Sequence, residues 1–270
     1  MTQARIVIVP TADDAADGAA LHVAAALRSA IETRGVAHWA TTGGSTAPAL
    51  YRHLRDADHP AVPWSGVHTW WGDDRFVPRD HPQSNVKPFD DIVMDAGSVE
   101  EGTALGLSGH PHGGERPPVA NLHPFPVSDA LARSGGADWA ATRVAEALAQ
   151  TDLELLDGVP RLDLIVLGLG PDGHTLSVFP GSPAFDTPAW TLAIPAPTHV
   201  EPHLERMTMN PSLVAAARDV LLVATGANKA DTIARVLSGE DDLRRWPARI
   251  ADVEHATWIL DEAAAAQLPR

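Results

Sequence analysis

A histidine follows closely on a short apolar run in the segment LDLIVLGLGPDGHT. The run, Leu164–Leu167, is rich in Leu, Ile and Val and is bounded by glycines, which predicts a buried parallel strand. Open α/β sheets bind their ligands at the loops that leave the carboxyl ends of such strands. Because histidine titrates near neutral pH, His174 in this loop can accept a proton and return it. We therefore predict acid–base chemistry at Asp172, Gly173 and His174.

The glycines of this loop also admit other interpretations. Gly168, Gly170 and Gly173 have the spacing of the dinucleotide-binding fingerprint, a motif that is weak when it stands alone. However, the string lies in the middle of the chain, contains Pro171 and is followed by SVFPGSP rather than by a long helix and a strand. Nucleotide binding is therefore not predicted. Ordinary turn geometry with a structural histidine stays open as the alternative.

A second group of polar residues follows another predicted strand, in the sequence TTGGSTAPAL. Its two glycines allow backbone amides to approach a ligand, its Ser and Thr add hydroxyl groups, and the N-terminus of the next helix favours an anion. Taken alone, an ordinary glycine turn with a Ser or Thr cap explains the sequence equally well. It is not a Walker loop, since no Gly-Lys-Ser/Thr follows. The candidates for anion binding are Gly43, Gly44, Ser45 and Thr46.

Three cations and their neighbours complete the candidate site. Arg75, after the third predicted strand, suits a phosphate or a carboxylate held through two hydrogen bonds. The adjacent Asp74 belongs either to that site or to a surface ion pair of little energetic weight, and Asn85 is assigned to the same rim. Arg206 and Lys229 complete the cations, although a solvated lysine explains the second equally well. Together the loops predict a pocket for a small phosphorylated or carboxylated molecule beside one acid–base group.

The elements that must position these residues alternate between strand and helix. Strands are predicted at Arg5–Val9, Val36–Ala40, Val67–Trp71, Leu162–Leu167, Arg218–Ala224 and Thr257–Leu260. Helical spacing of apolar residues predicts a helix over about residues 13–33, capped by Asp13 or Asp14, and a second that ends at about residue 149. Strands separated by helices indicate an α/β fold, a mainly parallel sheet flanked by helices, in a single domain over residues 1–270.

The least regular stretch runs from about residue 97 to residue 118 and is rich in glycine, proline and histidine. It has no helical or strand period, which predicts a long surface loop. His110 and His112 are interpreted as solvated loop residues, because no ordered set of carboxylates and histidines accompanies them. No metal site is predicted.

Composition restricts the classes of partner. The formal net charge of −15 disfavours binding to nucleic acid and to anionic membranes. The chain has no cysteine, which excludes disulfides, thiolate catalysis and zinc sites built on cysteine. The N-terminal sequence lacks the apolar core of a signal peptide, and no stretch approaches the ~18 apolar residues of a membrane helix. We expect a cytoplasmic protein, monomeric or a small homo-oligomer, without nucleic-acid or membrane partners.

Four motifs carry a resemblance to a known family: GGSTAPALYRHL, WWGDDRFVPRDHPQSN, LDLIVLGLGPDGHTLSVFPG and ERMTMNPSLVAAARDVLLVATGANKADTI. In this order, from about Ile6 to Leu260, the sequence resembles the 6-phosphogluconolactonase family, and the third motif is the most specific. The resemblance implies a modified Rossmann-like fold shared with glucosamine-6-phosphate deaminase and ribose-5-phosphate isomerase. It also implies hydrolysis of 6-phospho-D-glucono-1,5-lactone to 6-phospho-D-gluconate in the oxidative pentose phosphate pathway, with no metal or organic cofactor.

The resemblance and the chemistry together suggest roles for the candidates. His174 is expected to be the general base that activates water, and Asp172 is expected to orient it. Arg75 faces either the developing negative charge or the phosphate, and both assignments stay open. Ser177 lies in no nucleophile elbow of the GxSxG kind, so a covalent route is not expected. The expected phosphate contacts are Gly44, Ser45, Arg206 and Lys229.

A sugar-phosphate deaminase or isomerase of the same fold is the main alternative, and a non-catalytic sugar-phosphate sensor is another. In the deaminases the histidine motif continues toward Asn-Glu-Pro-Gly where this chain has Thr175–Gly181, and Ser-Tyr replaces Ser84 and Asn85. Both differences favour the lactonases. This chain departs from the family in having Asp74 where Glu is usual and in carrying Ala47 within a Ser-Thr-Pro motif. Its acidity argues against a DNA-binding sensor.

Overall fold

The computed structural model describes residues 3–56, 58–94, 115–238 and 242–269. Its strands are β1 (Arg5–Val9), β2 (Ala37–Thr41), β3 (Val67–Trp71), β4 (Asp73–Arg75), β5 (Leu122–His123), β6 (Leu155–Leu156), β7 (Val159–Pro160), β8 (Leu164–Leu167), β9 (Thr191–Ile194), β10 (Arg206–Met209), β11 (Val220–Ala224) and β12 (Ala256–Asp261). Its helices are α1 (Ala12–Arg34), α2 (Thr46–Leu54), α3 (Lys87–Ile92), α4 (Val127–Ala132), α5 (Ala137–Gln150), α6 (Pro211–Ala216) and α7 (Ala230–Ser238).

The main sheet has seven strands in the order β1-β12-β11-β8-β2-β3-β5, and every neighbouring pair is parallel. β2, β8 and β11 are buried along their whole length, as expected for central strands covered on both faces. The predicted α/β fold with a mainly parallel sheet flanked by helices is confirmed. Because the strands are parallel, the loops that follow β2, β3, β8 and β11 all leave at the same edge.

The first helix shows how local sequence sets these elements. The N-cap of α1 is Thr11, whose side chain accepts a hydrogen bond from the backbone of Asp14, and the Asp14 carboxylate in turn accepts one from the backbone of Thr11. The prediction of Asp13 or Asp14 as the cap was therefore wrong by two or three residues, because Asp14 is the reciprocal partner within a capping box. Gly35, with φ of 80°, ends the helix in the left-handed conformation.

A second, antiparallel sheet was not predicted. Its three strands lie in the order β4-β10-β9, and the sequence analysis had treated the β4 segment as a loop. β4 has three residues, too few for an alternating pattern to be recognised, and its pairing with β10 joins residues that are distant in the chain. In this sheet Arg75 lies opposite Arg206, which brings two of the predicted cations together. A two-stranded hairpin, β6-β7, completes the strands.

Two further expectations concern the long loop and membrane-spanning helices. Most of the predicted loop over about residues 97–118, including His110 and His112, lies outside them, since the structure describes this stretch only from residue 115 onward. Within the described ranges, none of the helices combines the length and the apolar character that crossing a bilayer requires.

Candidate active site

The predicted histidine loop begins directly after β8, and a carboxylate fixes its imidazole. Nδ1 of His174 lies 2.5 Å from Oδ1 of Asp172, and the backbone amide of His174 donates to the same oxygen at 3.2 Å. Gly173, between the two, has φ of 85°, a conformation that favours glycine. With Nδ1 directed at the carboxylate, Nε2 is the nitrogen of His174 that is left for another reactant.

A second histidine, which the sequence analysis missed, contacts the same carboxylate. Nε2 of His199 lies 2.9 Å from Oδ2 of Asp172. Burial on its own raises the pKa of Asp172, but the hydrogen bonds from His174 and His199 outweigh it and hold the pKa well below its usual range. Asp172 is therefore ionised throughout the neutral range. No local pattern identifies His199, because the contact spans 27 residues of sequence.

An aromatic ring joins this pair of histidines to a cation. The ring of Phe179 lies 4.6 Å from that of His174 and 5.8 Å from that of His199, measured between centroids. The guanidinium carbon of Arg206 lies 5.3 Å from the centre of the same Phe179 ring. Phe179 thus packs against both the imidazole and Arg206, and its role was not predicted from the sequence.

Close packing explains the glycines that resemble a nucleotide-binding string. A Cβ atom built on Gly170 would lie 2.0 Å from Nδ1 of His174, so only glycine lets the imidazole lie against this loop. A Cβ atom on Gly173 would lie 2.7 Å from the ring of Trp246. The loop is therefore shaped around His174 rather than around a pyrophosphate.

Arg75 reaches the site from β4 and is held by the segment that follows it. Its Nη1 donates to Oδ1 of Asn85 at 2.7 Å and to the carbonyl oxygen of Gln83 at 2.9 Å. Its Nε is buried and has no hydrogen-bond partner among the described residues. A buried guanidinium N–H without a partner carries an energetic cost, and an anionic ligand would remove that cost.

Arg206 lies beside Arg75 on the neighbouring strand and is more deeply buried. It is 2% exposed, and Nη2 donates to the carbonyl oxygen of Pro202 at 3.1 Å. Burial lowers the pKa of Arg206; the charges of Asp73 and Asp172 raise it, and that of Arg75 lowers it. Its Nε also lacks a partner within the described chain. Two adjacent guanidinium groups with unused donors favour a ligand of high negative charge.

Lys229 follows β11, the neighbour of β8 on the side away from β2, and its charge interacts with that of Asp172. It ends a short 3-10 helix, Ala227–Lys229, between β11 and α7. Burial lowers the pKa of Lys229, and the charge of Asp172 acts in the opposite direction. The interpretation as a fully solvated lysine is wrong, since the side chain is half-buried. Lys229, Arg206 and Asp172 therefore share one electrostatic environment.

The glycine loop after β2 contacts two of the other loops. A Cβ atom on Gly43 would lie 1.9 Å from Oδ1 of Asn85, and one on Gly168 would lie 3.9 Å from Oγ1 of Thr46. Gly44 has φ of 68° and is exposed. Ser45 is the N-cap of α2, and its exposed side chain makes no capping hydrogen bond. The loop therefore presents the start of α2, with free hydroxyl and amide donors, beside the Asp172–His174 loop.

Asp74 is the candidate whose position differs most from the expectation. It is 2% exposed, so the interpretation as a surface ion pair is wrong. Its carboxylate accepts hydrogen bonds from the amides of Asn85 at 2.7 Å and Arg75 at 2.8 Å, and from the Ser84 hydroxyl at 3.2 Å. Burial raises the pKa of Asp74 to about 7 against the effect of those amides. From this buried position the Asp74 carboxylate holds the backbone at Arg75 and Asn85.

Ser177 and Asp73 connect the histidine loop to β4. The Ser177 hydroxyl donates to Oδ2 of Asp73 at 2.6 Å, and both residues are buried. Asp73 also accepts a hydrogen bond from the Asn85 side chain at 3.1 Å. The Ser177 hydroxyl is therefore engaged in a buried contact between the histidine loop and β4, which agrees with the expectation that it is not a nucleophile.

The structure thus brings the sequence-predicted residues to one edge of the sheet, with Asp74 below the surface. The chain is also similar to known proteins over nearly its whole length. The model of the family described as glucosamine-6-phosphate isomerases/6-phosphogluconolactonase matches residues 10–260. The 6-phosphogluconolactonase of Mycobacterium tuberculosis is 30% identical over 264 residues, which cover 98% of both chains.

Solved structures show the same fold at lower identity. The 6-phosphogluconolactonase from Trypanosoma cruzi superposes with a TM-score of 0.82 at 22% identity, over 100% of this chain and 99% of that one. A monomeric glucosamine-6-phosphate deaminase superposes with a TM-score of 0.73 at 15% identity, over 97% and 99%. The fold is therefore shared by lactonases and deaminases, as the resemblance implied. This chain belongs to the glucosamine-6-phosphate isomerase/6-phosphogluconolactonase family.

Proposed function

We propose that this chain is a 6-phosphogluconolactonase that hydrolyses 6-phospho-D-glucono-1,5-lactone to 6-phospho-D-gluconate, with His174 as the general base. The observation that carries the proposal is the contact between Nδ1 of His174 and Asp172 at 2.5 Å, at a sheet edge that also holds Arg75, Arg206 and Lys229. An imidazole fixed by a carboxylate and surrounded by cations suits a substrate that has both a phosphate and an electrophilic carbonyl.

The chemistry requires one proton to be moved twice. Nε2 of His174 takes a proton from a water molecule, and the resulting hydroxide oxygen bonds to the lactone carbonyl carbon. The carbonyl oxygen becomes an oxyanion, which a nearby cation or backbone amide stabilises. When the oxyanion collapses, the bond between the carbonyl carbon and the ring oxygen breaks, and the His174 imidazolium protonates the ring oxygen. The products are a free hydroxyl and a carboxylic acid, which releases its remaining proton to solvent to become the carboxylate; one water molecule has been consumed.

Asp172 supports both transfers. Its carboxylate stays ionised because its pKa is held well below the usual range, so it stabilises the imidazolium that forms between the two steps. It also holds the proton of His174 on Nδ1, which keeps Nε2 basic. The proposed phosphate contacts are Arg206, Lys229 and the backbone amides of the Gly43–Thr46 loop. Arg75 is proposed to face the oxyanion or the phosphate.

The test is lactone hydrolysis above the spontaneous rate. Fresh 6-phosphogluconolactone is supplied, and the 6-phosphogluconate formed is measured by coupled oxidation. We expect clear acceleration by the wild-type chain and a loss of about a hundredfold or more in His174→Gln. The matched control is His22→Gln, which removes a histidine that also contacts an aspartate, since Nε2 of His22 lies 2.6 Å from Asp219. Full activity in His174→Gln would remove the histidine from its proposed role.

The same preparation tests the main alternative. A deaminase would release ammonia from glucosamine 6-phosphate, and we expect none above background. Ammonia release without lactone hydrolysis would replace the lactonase proposal by the deaminase. A chain with neither activity that still binds 6-phosphogluconate would point to a sensor. The cytoplasmic location and the monomeric or small homo-oligomeric state stay predictions.

A further inference from the structure

A cluster of histidines and aspartates lies on helices α1 and α2 and on the segment that follows α2, away from the residues assigned to the candidate active site. Nε2 of His59 lies 2.7 Å from Oδ1 of Asp17, and Nδ1 of His53 lies 3.8 Å from the same oxygen. The donor atoms of the three residues all lie within 4.8 Å of one another. In the part of the chain that the structure describes, no other set of three potential ligands is gathered as closely.

The spacing suits a small metal ion. With bonds of ~2.0–2.1 Å, the donor atoms around a tetrahedral zinc ion are roughly 3.4 Å apart. The two observed separations, 2.7 and 3.8 Å, lie on either side of this value. Modest side-chain rotation would therefore bring Asp17, His53 and His59 to bonding distance from one ion without displacement of the helices.

The second nitrogen of each imidazole also faces a carboxylate. Nε2 of His53 lies 3.1 Å from Oδ1 of Asp13, and Nδ1 of His59 lies 3.9 Å from Oδ2 of Asp56. Nδ1 of His59 is buried and makes no hydrogen bond within the described residues. Metal-binding histidines characteristically donate their other N–H to a carboxylate or carbonyl, which fixes the ring and raises the basicity of the ligating nitrogen. His53 is thus placed as this arrangement requires, whereas Nδ1 of His59 lies near Asp56 but beyond hydrogen-bond distance.

The donor set and the charge indicate which ion fits. Two imidazoles and one carboxylate suit zinc and similar transition metals, whereas magnesium and calcium prefer oxygen ligands alone. Three carboxylates, those of Asp13, Asp17 and Asp56, lie around the two imidazoles, and a divalent cation would offset their charge. The side chain of Asp17 is 43% exposed, so an ion can reach the cluster from solvent.

We propose that Asp17, His53 and His59 form a binding site for a divalent transition-metal ion of the zinc type, with water completing the coordination. The ion would link the first turns of α1 to the C-terminal end of α2. The glycine loop of the candidate active site leads into the other, N-terminal end of α2. The residues come from two helices and from the segment after the second, which is why the sequence showed no spacing typical of a metal site.

Zinc binding to the purified full-length chain tests the proposal. The chain must carry no polyhistidine tag and is first freed of metal with a chelator. We expect calorimetric titration to show one zinc ion per chain and no comparable binding of magnesium. His59→Gln and His53→Gln should each weaken the affinity by roughly tenfold or more. Saturating zinc should raise the Tm of the wild-type chain by roughly 5 °C or more, and this rise should be absent in both variants.

Two further variants and one further assay keep the result interpretable. His22→Gln removes a histidine that pairs with Asp219 and belongs to no group of three potential ligands among the described residues, and it should bind zinc like the wild type. Asp17→Asn keeps the shape of the ligand and should also weaken binding, which covers a histidine variant that fails to fold. Lactone hydrolysis reports folding independently, since none of these residues contacts the candidate active site. Zinc affinity and stoichiometry that are unchanged in the cluster variants, or no zinc binding by the wild type, would overturn the proposal.

Discussion

Two groups of histidines occupy opposite ends of the same sheet and have opposite surroundings. His174 follows the carboxyl end of β8 and contacts a carboxylate. His38 and His68 lie near the amino ends of β2 and β3, with His123 on β5 beside them. In that second group, Nδ1 of His68 lies 2.9 Å from Nε2 of His123, and the rings of His38 and His68 stack at 4.6 Å.

The second group is built to stay neutral. Burial, followed by the charges of the neighbouring imidazoles, lowers the pKa of His38 to about 3 and that of His123 to about 4. The ring of Trp70 stacks on His123 at 4.1 Å and its Nε1 donates to His38 at 3.4 Å. Within the described chain, no ring nitrogen of these three histidines bonds to a carboxylate. A carboxylate partner, rather than the histidine itself, therefore distinguishes the end that can transfer protons from the end that packs.

Removing that carboxylate should have the largest effect. In Asp172→Asn the side chain keeps its size but loses the charge that stabilises the His174 imidazolium, and its amide can turn the imidazole to the wrong tautomer. We expect kcat for lactone hydrolysis to fall by about a hundredfold or more, with a much smaller change in KM. Steady-state kinetics on the folded variant give both constants.

Asp219→Asn is the matched control for that variant, because Asp219 also contacts a histidine, His22, at 2.6 Å. We expect it to retain kcat and KM. A wild-type kcat in Asp172→Asn would show that catalysis does not depend on this carboxylate. The contrast between His174 and the stacked histidines at the other end of the sheet would then be wrong.

Acid should destabilise the protein through the stacked histidines. The unfolded chain takes up a proton on His38 near the ordinary pKa of 6.5, whereas the folded chain does so only near pH 3. Between these values the unfolded state binds more protons, so the free energy of unfolding falls as the pH falls. For the buried His38 this amounts to about 1.4 kcal/mol per pH unit, or about 2 kcal/mol between pH ~6.5 and pH ~5.

Urea unfolding at several pH values measures this slope. His38→Gln keeps an acceptor for Trp70 but cannot be protonated, so its free energy of unfolding should fall less steeply with acid than that of the wild type. Equal slopes in His38→Gln and the wild type would show that the stacked group does not sense pH.

The sequence predicts the parallel sheet well because its evidence is local. Leu164–Leu167 is a continuous apolar run and Val67–Trp71 is rich in β-branched and aromatic residues, both lie next to glycines, and the structure has strands at both. The edge that holds the site follows from the rule that parallel strands end together. The three-residue strand that carries Arg75 was missed, because it forms by pairing with residues 131 positions further along at Arg206, as the register shows.

The candidate site divides in the same way. His174 and Asp172 are adjacent in sequence and were predicted, while His199 and Phe179 reach them through tertiary packing and were missed. Asp74 was recognised as part of the site, but its depth was not, since burial depends on the later pairing of β4 with β10. Residue type therefore indicates which groups do chemistry, whereas long-range contacts decide which of them touch.

His199 offers the smallest and most specific test of the comparison. Its hydrogen bond to Asp172 is made by a side chain that is 52% exposed, so we expect it to contribute only about 1 kcal/mol. His199→Ala should lower kcat by about fivefold and leave KM unchanged, because His199 positions Asp172 and does not contact the substrate. His199→Gln restores a donor to Oδ2 and should recover most of that loss, as steady-state kinetics will show. A change in KM with an unchanged kcat would instead indicate that His199 contacts the substrate. The proposal that His199 positions Asp172 would then be wrong.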